Sequence, residues 1–184
     1  AVMGVASCIT GMNHMCNIRY GIRIAGIILL TTVTWCELRA ATITINSNAD
    51  PGGFDTNLTV GTLGPTVTLR DAITAANNTP GDDTMVFAGS MNGATVTLVQ
   101  ATSTMDPHGS PRNNGGPTAL RITSNLELIA PPGGLVILPT GLMRFFDIAP
   151  GATVRVERLT LRGGVANNGG GFWNAGHLTL DEVT

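Results

Sequence analysis

"VRVERLTLRGG", residues 154–164, alternates apolar and polar side chains as a strand does, then breaks step. Val154 and Val156 keep a period of two, Glu157 and Arg158 intervene, and Leu159 and Leu161 resume it. "LTLDEVT", residues 178–184, repeats the pattern with Leu178, Leu180 and Val183, slipping across Asp181 and Glu182 at an offset of 24 residues. "LELI", with Leu126 and Leu128, leads the first copy by 28. A one-residue slip sends the inward face outward unless the chain bends there. Strand, corner, strand at spacings of about two dozen residues predicts a coil wound around an apolar interior. Glycine-rich corners such as "GGVANNGGG", residues 163–171, supply the backbone freedom that tight turns need. The competing reading is an antiparallel β-sandwich, which requires hairpin signals between strands; "NNG" at 167–169 is the candidate.

Outward from that stretch, short apolar runs mark further strands. They are Thr42–Ile45, Met85–Phe87, Ala94–Val99, Leu120–Ile122, Leu126–Ile129, Leu135–Leu138 and Phe145–Ile148. One segment has a different period. In "VTLRDAITAANNTPGDD", residues 67–83, Leu69, Ala72, Ile73 and Ala76 fall at i, i+3, i+4 and i+7, one apolar stripe on a helix. Thr68 stands at the N-cap position with Asp71 three residues on, a capping box, and Asn77, Asn78 and Pro80 end the element. About ten residues of helix are not stable alone in water, so this one must pack on something. The open end of a β-coil, with its unpaired strand edges, is the natural place. The expected fold is therefore all-β: a right-handed parallel β-helix whose N-terminal end is capped by a short amphipathic α-helix.

Composition narrows the function classes. With 184 residues, 12% charged and a net charge of −2, the chain lacks the basic face that nucleic acid demands. Residues 1–40 are of different material. Arg19 and Arg23 precede "IAGIILLTTVTWC", thirteen uncharged residues, and small residues follow at Ala40 and Ala41. A basic region, a short apolar run and a small-residue cut predict a secretory signal peptide with a possible upstream extension, cleaved after Ala40. The run is shorter than the ~18 residues of a membrane span. All three cysteines, Cys8, Cys16 and Cys36, lie in this leader, so the mature chain carries no disulfide and relies on ladders and packing. Domain boundaries are expected at 1–40 for the leader, 41–98 for the first strands and cap helix, 99–119 for a polar loop excursion, and 120–184 for the coil. The strand pattern runs to Thr184, and the expectation is an N-terminal piece of a longer surface protein.

At these residues a family resemblance becomes visible. "VTLRDAITAANNTPGDDTMVF", residues 67–87, resembles the "CSLREAIxAAN…PGxDTIxF" segment that names the CSLREA domain of bacterial exported β-helix proteins. "ATITINSNAD", 41–50, is similar to the strand that opens such domains. "GGGFWNAGHLTLDEVT", 169–184, resembles the "GGGIYNxGxLTLxxxT" rungs of polymorphic outer membrane protein repeats. The family's cysteine before its "SLREA" run is Val67 here, so a disulfide of the relatives is absent. The resemblance implies a secreted, cell-surface or outer-membrane location and leaves activity open.

Candidate chemistry is sparse. Asp82 and Asp83 form a carboxylate pair, but adjacent strand residues point to opposite faces, and hydrolysis needs two carboxyls facing one bond; a turn after Pro80–Gly81 is the simpler reading. His108, with Asp106 and Ser110, sits in a polar loop without a nucleophile elbow, and His177 is the other histidine of the mature part. "NSNAD", 46–50, spaces oxygens as a calcium loop does, yet Pro51 holds the sixth position and no acid the twelfth, which favours an Asx-type turn. Glu157 and Asp181, 24 apart, could share an ion, or Arg158 and Glu182 could pair across the corner. Residues 99–119 are the best place for a binding loop. The expectation is no catalytic, cofactor-binding or metal residue and no cofactor. The function expected is an adhesive or structural surface module, with extracellular polysaccharide or a host or neighbour cell surface as partner. A polysaccharide lyase or glycoside hydrolase on the same scaffold is the alternative.

Overall fold

In the computed structural model the described residues are 40–50, 55–101 and 116–184, together with the backbone of three strands nearer the N-terminus. The chain divides into two compact units, Ala1–Leu38 and Arg39–Thr184. In the first, β1 (Val5–Ala6), β2 (Ile18–Ile24) and β3 (Ile27–Val33) form an antiparallel sheet, with Ile24 opposite Ile27. The rest of residues 1–39, where the signal peptide is expected, residues 51–54 and residues 102–115, including His108 and most of the polar loop, lie outside the described residues.

The second unit is mostly β, with parallel sheets and a single α-helix among the described residues. Its elements are β4 (Thr42–Ile45), α1 (Leu69–Asn78), β5 (Asp82–Phe87), β6 (Thr95–Leu98), β7 (Thr118–Ile122), β8 (Asn125–Ile129) and β9 (Leu135–Pro139). They continue with β10 (Arg144–Ile148), β11 (Thr153–Glu157), β12 (Leu159–Leu161), β13 (Phe172–Asn174) and β14 (His177–Asp181). From β5 onward, successive strands join three sheets in strict rotation. The five-stranded sheet runs β14-β11-β8-β5-β4, a second runs β12-β9-β6 and a third β13-β10-β7. Every pairing in this unit is parallel among the described residues. The sandwich expected as the competitor needs antiparallel hairpins; "NNG" at 167–169 is instead the link between β12 and β13, which belong to different sheets.

The slip at Glu157–Arg158 is where β11 ends and β12 begins. Val154 pairs with Leu126 and with Leu178, the 28- and 24-residue offsets read from the sequence. Arg158 has φ +59° and Glu182 φ +52°, the two positive-φ non-glycine residues among those described. One left-handed residue bends the chain between sheets, so Val156 and Leu159 both stay buried on either side of it. The offset of 28 arises at one corner. β8 and β9 are joined through "APPGG", where Gly134 N–H closes a turn on Pro131 O at 2.8 Å and Gly134 takes φ +77°. β12 still meets β9 with Leu159 opposite Leu135, back at 24. The four extra residues are absorbed outside the ladder.

Inward side chains stack from strand to strand. Ile43, Met85, Leu128 and Val156 form one buried column, which Leu180 on the last strand continues 48% exposed, and Leu120, Phe146 and Phe172 form another, with the last two rings stacked at 5.3 Å. Burying such columns supplies roughly 25 cal/mol per Å² of apolar surface, which compensates for the missing disulfides. Arg144 is fully buried yet satisfied. It donates to Asn168 O (2.6 Å), Gly169 O (2.9 Å) and Thr118 Oγ1 (3.0 Å) and lies 5.1 Å over the Trp173 ring.

Close approach rules out a side chain at Gly176, where an added Cβ would stand 2.3 Å from Ala152 O and 2.7 Å from Ala149 O. Gly176→Ala should therefore lower stability by about 1–3 kcal/mol, read as a reduced urea midpoint. Gly171→Ala, with open space around its Cβ, should leave the midpoint within a few tenths of that of the parent.

The helix has the expected boundaries and stripe. Leu69, Ala72, Ile73 and Ala76 are buried, and Thr68 and Asp71 form the capping box. Its last turn differs in detail: Thr79 caps it in an extended conformation, without a left-handed asparagine. β7 is the free edge of its sheet, and α1 covers that edge with side chains. Arg70 Nη1 donates to Ala119 O (2.7 Å), Asn77 Nδ2 to Arg121 O (2.8 Å), and Asn77 Oδ1 accepts Thr123 N–H (2.8 Å). The edge of β6 is treated similarly by residues 46–50. Asn48 Nδ2 donates to Thr95 O (3.4 Å), and Asp50 Oδ2 accepts Val99 N–H (2.8 Å). Unpaired edge groups, an invitation to association, are thereby occupied.

Candidate functional site

The five-stranded sheet gathers the polar chemistry on its outer face. Register places Asp82 beside Asn125 and Thr153 beside His177. The next row holds Thr84, Glu127, Arg155 and Thr179, and a third ends in Glu157 and Asp181. Asn125 links the first row, donating to Asp82 Oδ1 (2.9 Å) and accepting Thr153 N–H (2.8 Å). A shallow cleft of about 360 Å³ lies over the start of β5, β8 and β11, between Asp82, Glu127 and Arg155.

Arg155 is the hub. Its guanidinium pairs with Glu127, with Glu157 at 2.8 Å and with Asp181 at 2.8 Å. Its hydrogen bonds to Glu127 and then to Asp181 raise its pKa above the ordinary arginine value, so it is a permanent cation. Glu157 is also held by Arg158, which donates in addition to Ala130 O (3.0 Å). Of the two sequence readings of this corner, Glu157 and Asp181 do lie side by side, but they share a guanidinium. Arg158 takes Glu157 rather than Glu182.

The other expectations are corrected or placed. Asp82 and Asp83 do not form a turn: both belong to β5, where pairing with Asn125 and Leu126 of β8 overrides the turn preference of "PGDD". They point to opposite faces as a strand requires, Asp82 exposed and Asp83 buried. Asn46 and Asp50 of "NSNAD" spend their oxygens on the protein itself. Asn46 Oδ1 accepts Val67 N–H (2.8 Å), and Ser47 Oγ accepts Ala49 N–H (3.3 Å) in a local turn. Both Asp50 oxygens bind Arg70 (2.6 and 2.8 Å), in a pair about 2% exposed. That donor set leaves no carboxylate for calcium. Among the described residues, no three His, Cys, Asp or Glu side chains come together as metal ligands. His177 is exposed at the start of β14.

Sequence reasoning carries a column of charges no further than Glu157 and Asp181; the structure adds Glu127 and Arg155 to it. The signal that finds it is register. Glu127 precedes Arg155 by 28, the offset already visible in "LELI", and Asp181 follows Glu157 by 24. Chemically the cluster is self-neutralising. Glycoside hydrolysis needs two carboxyls free to face a bond between them, whereas these three converge on one guanidinium. Rows of hydroxyl, amide and charged groups along a flat strand face suit hydrogen bonding to a polyol or a polar surface. Comparison with protein-family models, curated proteins and solved structures returns no match to this chain.

Proposed function

We propose that the chain is an exported module of the right-handed parallel β-helix type, capped at its N-terminal end by α1 and related to CSLREA-domain proteins. It acts at the cell surface or outside the cell by adhesion or as a structural element, without turnover. The rotation of strands through three parallel sheets supports the coil, and the edge-covering bonds of α1 and residues 46–50 support the cap. The observation that carries the non-enzymatic reading is the closure of the outer acids on Arg155. A site that performs acid–base work keeps a carboxylate uncommitted, and Glu127, Glu157 and Asp181 are all committed. Among the described residues no helix is long and apolar enough to cross a membrane.

The test is incubation with acidic polysaccharides such as polygalacturonate and alginate, read two ways. New reducing ends and unsaturated uronate absorbance are expected to stay at background, while co-sedimentation with the insoluble polymer or with cells is expected to be saturable. Turnover that Glu127→Gln abolishes would replace this proposal with the lyase or hydrolase.

A further inference from the structure

The inward column at the start of the five-stranded sheet reads Asp83, Leu126, Val154, Leu178. One carboxylate stands in an otherwise apolar stack. Asp83 is 1% exposed. Its Oδ1 accepts the Ala41 N–H at 2.9 Å, and its Oδ2 is buried without a hydrogen-bond partner. Burial raises its pKa above 3.8, the Ala41 N–H opposes the rise, and Asp82 adds to it. The charged groups nearby, Asp82, Glu127 and Arg155, line the cleft on the opposite, outer face of the sheet, and the arginine is already held by Glu127, Glu157 and Asp181. A buried acceptor left unmade costs about 1–3 kcal/mol, so the site asks for a cationic donor at the position of the Ala41 nitrogen.

Ala41 directly follows Ala40, the residue at which the leader is expected to be cut. We propose that cleavage after Ala40 turns the Ala41 nitrogen into an α-ammonium that pairs with Asp83, fastening β4 to β5 only in the processed protein. The inference rests on the export reading above. In the step, the processing peptidase hydrolyses the Ala40–Ala41 peptide bond. Water delivers hydroxyl to the Ala40 carbonyl carbon and hydrogen to the Ala41 nitrogen; at neutral pH the new acid loses a proton and the new amine gains one. Three N–H donors then replace one, enough to reach both carboxylate oxygens.

The sign of Asp83's contribution reverses on processing. In the uncut chain its folded pKa is raised, so its ionisation opposes folding, and the penalty grows as pH rises from 3.8 through the folded value. Beside an ammonium the folded pKa falls, and the pair stabilises above the ordinary carboxylate pKa and is lost as pH drops through the lowered value.

The chain contains no lysine, so an amine-acylating reagent reads the N-terminus alone. Full-length protein is expressed in an exporting host and recovered from outside the cytoplasm, intact mass gives the first residue, and acylation is timed at pH 8. The expected result is a chain that begins at Ala41, acylated about fivefold more slowly than the same protein in urea, as one pKa unit of amine stabilisation requires at that pH. Asp83→Asn should restore the fast rate. Should that variant fail to fold, the ¹³C titration of the Asp83 carboxyl in the parent decides, with a pKa below 3.8 expected after processing and above it before. An Ala41 amine that reacts as fast folded as unfolded, or an unshifted titration, overturns the ion pair and leaves export standing. A processed chain with a first residue other than Ala41 likewise overturns the ion pair and leaves export standing, whereas a retained leader overturns both.

Discussion

Replacing Arg70 by methionine should destabilise the second unit by about 3–5 kcal/mol, the range for removing one member of a buried ion pair. Asp50 would keep its bond from Val99 but lose both guanidinium contacts in a site about 1% exposed. Two backbone carbonyls, Ala119 O and Gln100 O, would lose their donors as well. The cost is larger than that of an ordinary surface pair because four chain segments meet at this one side chain: residues 46–50, α1, the end of β6 and β7. Urea unfolding measures it. The double variant Arg70→Met with Asp50→Asn should cost less than the sum of the singles, since removing both charges leaves none stranded. A loss below about 1 kcal/mol for Arg70→Met would mean the pair does not hold the two edge covers together.

Ile73→Asp should be nearly as severe, at least about 3 kcal/mol, combining a lost core side chain with a charge that has no partner in the apolar stripe. Ile73 is 2% exposed. The expected consequence is selective. α1 lifts away, the parallel ladders of residues 82–184 persist, and the uncovered edge of β7 recruits other molecules. Circular dichroism should show strand content largely kept while light scattering shows association. Thr74→Asp, half-buried on the adjoining face, is the control expected to remain monomeric. Equal behaviour of the two variants would show that α1 does not guard the edge.

How much of this was legible beforehand differs from element to element. The apolar positions of β8, β11 and β14 carried their own register, because inward side chains must match and a left-handed corner leaves a visible slip. The helix was legible because its period contrasts with its neighbours and its capping box is local. The polar network was not. Arg70 borders the apolar stripe as a solvated residue would, and its partner lies 20 residues upstream in a segment that reads as turn. Asp82 and Asp83 follow proline and glycine and have poor strand propensity; pairing with Asn125 and Leu126 of β8 holds them extended. The Arg155 cluster depends on diagonal neighbours across three strands, which no one-dimensional period displays. Short β13, in "GGGFWN", was hidden by the glycines that precede it.

The "PPGG" corner between β8 and β9 bears on how such a chain can change over generations. It holds four residues more than the matching corner at Arg158, yet the strands on either side keep their partners. Length variation at a bend is thus invisible to the stack, whereas a single deletion inside β11 would turn the remaining side chains of that strand the wrong way out. Lineages carrying this architecture should accumulate gaps at bends and substitutions on outer faces, drifting beyond recognition by alignment while the interior columns stay apolar.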